Sequence, residues 1–210
     1  MTGAAGSGKT TWTIEQVRDS PRLLVWDSGY DFAPALRLTP VRRLCDLGDL
    51  VLEDLRSSGS SGMSSHASRA PQRIAYTGPI TREHFITFCR IAYVWMRAHE
   101  RSALVVDELA DVTSSGKATP GWGDIVRKHR KFTRGRVFAL TQRPAESDKT
   151  IIGNATILHC GRMNFAEDEV YISKCLKVPL EDIQALPDFH YLERNMRTRA
   201  LSRGVVAITR

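Results

Sequence analysis

Residues 3 to 10 read Gly-Ala-Ala-Gly-Ser-Gly-Lys-Thr. No other segment restricts so sharply what the chain can fold into. The pattern is GxxxxGK[ST], a loop whose glycines let backbone N–H groups curl round an anion without a Cβ in the way. Lys9 supplies a point charge to β- and γ-phosphates, and the Thr10 hydroxyl is a Mg²⁺ ligand. A helix starting there aims its positive dipole end at the anion. Gly3, Ala4, Ala5, Gly6, Ser7, Gly8, Lys9, Thr10 and Thr11 are therefore the candidate nucleotide-binding residues. Such a loop ordinarily follows a buried central strand. Only Met1 and Thr2 precede it here, so the first strand is expected to be missing, through a shortened start or with another segment in its slot.

The rest of the chain alternates between apolar strands and amphipathic helices. Strands are expected at Leu23–Trp26, Arg73–Tyr76, Ala103–Val106, Val137–Leu140 and Ile157–Cys160. Two short ones are expected near His190–Leu192 and Val205–Ile208. Helices are expected at Thr10–Asp19, Val41–Leu55, Thr81–His99, Gly123–Phe132, Asp148–Asn154 and Ala166–Leu176. Short, fully apolar strands between helices imply a mostly parallel sheet with helices on both faces. The 210 residues suffice for one sizeable core, and the whole chain is read as one domain. Residues 57–68 break the pattern: seven of the twelve are serine and two are glycine. A segment of that composition cannot bury apolar surface, so 57–71 is expected to be a flexible insertion.

Composition removes several function classes. Hydrophobic residues make up 42% and charged residues 25%, which excludes wholesale disorder and collagen. No apolar run approaches the roughly 18 residues of a membrane helix. With two residues ahead of the glycine loop, no signal peptide is expected. The four cysteines form no CxxC pair, which argues against a zinc ribbon and points to free thiols in a reducing cytoplasm. The six histidines form no HExxH, so no histidine metal site is indicated.

Two further motifs carry chemistry. Ser102–Val106 is an apolar strand ending in Asp107-Glu108. Asp107 is placed to hold Mg²⁺ through water, and Glu108 to act as general base on the attacking water. A base of that kind favours nucleotide hydrolysis over transfer to a substrate hydroxyl. The strand Val137–Leu140 ends in Thr141-Gln142-Arg143-Pro144, where Gln142 has the donors and acceptors to sense a γ-phosphate or a water. The net charge is +7. Arg127 to Arg136 holds six basic side chains and no acid; Arg194 to Arg210 holds five arginines and no acid. Within the first run Arg130 and Arg134 are candidate arginine fingers for a neighbour's site; the run also suits DNA phosphates.

Taken together, GAAGSGKT, ALVVDE and VRKHRKFTRGRVFALTQRP followed by DKTIIGNAT resemble the FtsK–HerA superfamily of P-loop ATPases, and within it viral genome-packaging ATPases of membrane-containing viruses. The resemblance runs from about Gly3 to Leu192, and its most specific part is TQRP after an arginine-bearing helix. It implies a RecA-like fold, with Lys9 and Thr10 on phosphate and Mg²⁺. It implies Asp107 and Glu108 as the Walker B pair, Gln142 as sensor, and Arg130 or Arg134 as the finger given in trans. ATP and Mg²⁺ are the implied ligands. Double-stranded DNA, a homo-oligomeric ring (as a rule a hexamer) and a capsid or portal protein are the implied partners, in the host cytoplasm or the virion. Three other classes stay open: a Zot-like phage-assembly or secretion ATPase, a small-molecule kinase, and an inactive DNA-binding remnant.

Overall fold

The computed structural model describes residues 1–59, 72–132 and 135–207. Along the chain come α1 (Lys9–Val17), β1 (Arg22–Trp26), α2 (Phe32–Leu36), β2 (Thr39–Val41), α3 (Leu44–Gly59) and β3 (Arg73–Tyr76). Then follow α4 (Arg82–Ala98), β4 (Ser102–Val106), a short 3₁₀ turn (Leu109–Asp111), α5 (Trp122–Phe132) and β5 (Arg136–Ala139). The chain continues through α6 (Lys149–Asn154), β6 (Ile157–Gly161), α7 (Ala166–Leu176), α8 (Leu180–Gln184), β7 (His190–Asn195) and β8 (Leu201–Val205). The strands form a five-stranded sheet of order β2-β3-β1-β4-β5 and a three-stranded sheet of order β6-β7-β8. The chain divides into two compact units.

One unit spans 17–106 and 120–137. In it β1 pairs in parallel with both β3 and β4, and β2 extends the sheet in parallel beyond β3. All five residues of β4 are buried, as its unbroken apolar run demands of a strand covered on both faces. Trp26 is fully buried and is the hub of the core. It stacks on Tyr76 at 4.9 Å and meets Phe85 and Phe88 edge-on at 5.3 and 5.2 Å. The helix α4 brings both phenylalanines on one face and packs against α3 and α5. Thr81 caps its start by accepting the His84 N–H, which is worth about 1 kcal/mol. The buried Asp27 carboxylate accepts the N–H groups of Asp31, Phe32 and Ala33. Burial raises its pKa, and those three bonds oppose the rise.

The other unit holds 1–16, 107–119 and 138–210, of which 138–207 is described. Here β6-β7 and β7-β8 are antiparallel, with Leu192 facing Cys160 and Arg203. Leu158, Cys160, Ile172, Leu176, Ile183 and Leu192 make its core. Thr2 lies between Thr141 and Cys160 as a parallel bridge to each. The expected gap at the first strand is thus spanned by Met1 and Thr2, with Thr2 N–H on the His159 carbonyl and Gly161 N–H on the Thr2 carbonyl at 2.8 and 2.9 Å.

Several expected boundaries differ. Val41 lies in an edge strand and not at a helix start; Pro40 is tolerated there because an edge strand need not donate on both sides. The helix α3 runs on to Gly59, since propagation adds one bond per residue even into poor formers. The remainder of the serine-rich insertion, from residue 60, lies outside the described residues. The last strand is Leu201–Val205 and not Val205–Ile208, because pairing of Arg194 with Leu201 sets the register. The helices α2 and α8 are five residues long, too short to show a period.

Candidate nucleotide-binding site

The glycine loop, both acids and the TQRP strand end fall in one unit. The loop hangs from neighbouring strand ends: Gly3 N–H donates to the Thr141 carbonyl at 3.3 Å and Ala4 N–H to the Arg162 carbonyl at 2.6 Å. Two of its glycines are required by close approach and positive φ. A Cβ on Gly3, at φ +152°, would stand 2.5 Å from Ser7 Oγ. Gly8, at φ +88°, would put a Cβ 3.2 Å from the Val206 side chain and 3.3 Å from the Phe189 ring. Only glycine adopts that left-handed backbone without strain.

Lys9 opens α1 and is buried. Its ammonium donates to the carbonyls of Gly3 and Ala4 at 2.7 and 2.9 Å, leaving one of three protons for an anion. Burial lowers its pKa, and the charges of Glu108 and then Asp107 oppose that shift. Among the described residues, Ser7 Oγ is buried with no hydrogen-bond partner. An orphaned hydroxyl costs about 1–3 kcal/mol, and a phosphate oxygen would relieve it. Thr10 and Thr11 are half-buried in the first turn of α1. Thr10 hydroxyl and Asp107 carboxylate are hard oxygen donors, the set that Mg²⁺ prefers. Ser7, Lys9 and the glycine curl together fit a Mg²⁺–nucleotide.

Beyond the buried end of β4, Glu108 takes a left-handed backbone, φ +43°. The chain folds back there, and Leu109 N–H donates to the Leu140 carbonyl at 2.7 Å. That turn delivers the Glu108 carboxylate to the end of β5. Thr141 Oγ1 donates to it at 2.9 Å, and the Gln142 N–H reaches its two oxygens at 3.0 and 3.1 Å. Arg143 N–H in turn donates to Thr141 Oγ1 at 3.1 Å. Gln142 meets Glu108 through its backbone, and its residue is exposed. Arg143 is engaged elsewhere. Its Nε donates to the fully buried Asp168 at 2.9 Å, its Nη2 pairs with Glu146, and it lies 4.1 Å over Phe165. Asp168 also accepts the Ala145 N–H at 2.8 Å, which holds the TQRP turn to α7.

Arg130 lies on α5, in the other unit; its side chain, and Arg134 altogether, fall outside the described residues. Sequence reasoning missed two participants: Thr141 as a partner of Glu108, and Asp168. Thr141 stands inside the quoted TQRP and was legible as the hydroxyl next to the sensor. Asp168 left no signal in the sequence.

Protein P9 of Pseudoalteromonas phage PM2 is 35% identical to this chain over 167 residues, 79% of this chain and 68% of that protein. No protein-family model matches. Among solved structures, the genome packaging NTPase B204 from Sulfolobus turreted icosahedral virus 2, in complex with AMPPCP, superposes with a TM-score of 0.74. That match has 13% identity and covers 99% of this chain and 96% of that one. The bacterial conjugative coupling protein TrwBdeltaN70 superposes at 0.60 with 11% identity, covering 100% and 84%. The expected RecA-like P-loop fold is borne out by these likenesses. Among the described residues no helix is long and apolar enough to cross a membrane.

Proposed function

This chain belongs to the family of protein P9 of phage PM2, and from that premise we propose that it is an ATP-hydrolysing subunit of a viral genome-packaging motor that drives double-stranded DNA. The observation that carries the reading is the placement of Glu108. Its carboxylate is pinned between Thr141 and Gln142 on the strand end from which the Lys9 loop hangs. B204, of the same fold, is described as a genome packaging NTPase and was crystallised with AMPPCP.

In this reading the loop N–H groups, Ser7 and Lys9 hold the phosphates. Thr10 and Asp107 hold Mg²⁺, which neutralises phosphate charge when bound. Glu108 takes a proton from the attacking water, a role worth about 10²–10⁴-fold. Gln142 reports the γ-phosphate. Arg130 or Arg134 completes a neighbouring subunit's site within a ring, as a rule a hexamer, that docks on a capsid or portal protein. The setting is the host cytoplasm or the virion.

The test is ATP turnover with and without double-stranded DNA. Stimulation by DNA, abolished by Lys9→Ala, is the expected result. Turnover indifferent to DNA would refute the motor.

A further inference from the structure

The hairpin of β7 and β8 carries charge that the nucleotide site does not use. Arg194 clasps it. One guanidinium nitrogen donates to the Arg199 carbonyl at 2.8 Å, another to the Lys177 carbonyl at 3.5 Å. The end of α7 is thereby drawn beside the hairpin turn, with Lys174 and Lys177 exposed. The turn itself is heavily bonded. Arg199 N–H donates to the Asn195 carbonyl at 2.8 Å, and Asn195 Oδ1 accepts the N–H groups of Arg197 and Thr198 at 3.0 and 3.1 Å. Thr198 Oγ1 accepts the Ala200 N–H at 3.3 Å. Arg197 and Arg199 stand exposed on this rigid turn, and among the described residues neither guanidinium forms an ion pair. Arg203 differs: it pairs with Asp182 at 2.9 Å.

We propose that Arg197 and Arg199, flanked by Lys174 and Lys177, form a contact surface for the phosphate backbone of duplex DNA. The inference rests on the motor reading above and places the DNA on a named surface. Charge complementarity selects the partner. Guanidinium forks match phosphate oxygens in a bidentate manner, and a preorganised turn loses little freedom on binding. Met196, Thr198 and Ala200 offer no aromatic face for stacking a base, so the contact is to backbone and independent of sequence.

The experiment is a salt titration of duplex binding by the full chain with a non-hydrolysable ATP analogue. Each phosphate contact contributes about 0.9 to the slope of log affinity against log salt. The double variant R197Q/R199Q is expected to lower that slope by about 1.8 and to weaken binding equally on unrelated sequences. Analogue affinity should stay unchanged. R82Q/R90Q, which removes two exposed arginines from α4, controls for net charge and should leave more of the slope. An unchanged slope in R197Q/R199Q, with wild-type binding intact, overturns the hairpin proposal alone. Loss of basal turnover with unchanged DNA binding also overturns it, in favour of a contact between subunits. Wild-type protein that binds no duplex sinks the motor reading as well.

Discussion

Thr141 donates its hydroxyl to the Glu108 carboxylate at 2.9 Å across 33 residues of sequence. The bond ties the proposed base to the strand end that also receives Gly3. A hydrogen bond to a charged group contributes about 1.5–3 kcal/mol. Thr141→Val keeps the shape and removes the donor. Turnover is expected to fall roughly ten- to hundredfold at that energy, with ATP-analogue affinity unchanged. Thr141→Ser should restore it. Equal kcat in the valine and wild-type proteins would show that the bond does not position the base.

Glu108→Gln keeps an acceptor for both donors and removes the base. The expected loss in kcat is about 10²–10⁴-fold, with nucleotide still bound. Single-turnover hydrolysis measures it. Intact turnover would assign the base elsewhere.

Gly8→Ala introduces a Cβ at φ +88°, 3.2 Å from Val206. Left-handed strain alone costs about 1–3 kcal/mol. Both nucleotide affinity and melting temperature are expected to drop, and Val206→Ala in the same chain should recover part of the melting temperature. A double variant no more stable than the single one would refute the packing argument.

His159 is buried between the rings of Trp12 and Tyr191, at 4.4 and 4.3 Å, with Nδ1 3.1 Å from Glu193. Burial pulls its pKa from 6.5 down to about 3. The unfolded chain therefore takes up a proton that the folded chain refuses. Stability from this residue is full above about pH 6.5 and is lost as pH falls towards 3, at about 1.4 kcal/mol per pH unit. Urea midpoints at pH 4.5 and 7 check it: His159→Phe should be less acid-sensitive than wild type. Parallel losses would mean that other groups govern the acid limb.

The features readable in advance are those whose meaning is local. GAAGSGKT, Asp107-Glu108 after an apolar strand, and TQRP after another each declare themselves within ten residues. The long helix Arg82–Ala98 was legible in the same way, through its period and its Thr81 cap. Four short elements were not: α2, α8, β2 and the bounds of β8. Thr39–Val41 and Leu201–Val205 are strands because of their partners, and their own residues say little.

The sequence by itself determined the candidate chemistry: which residues are proposed to hold phosphate, where the acids stand along the chain, and that strands alternate with helices. These depend on backbone freedom, charge and hydrophobic period, properties of neighbours along the chain. Only the tertiary structure decided that Thr2 fills the slot between Thr141 and Cys160. It alone joined Glu108 to Thr141, pressed Val206 against Gly8, and used Arg194 to draw the end of α7 to the hairpin. Such pairings depend on register and burial summed over many distant residues, and no short window of sequence carries that sum.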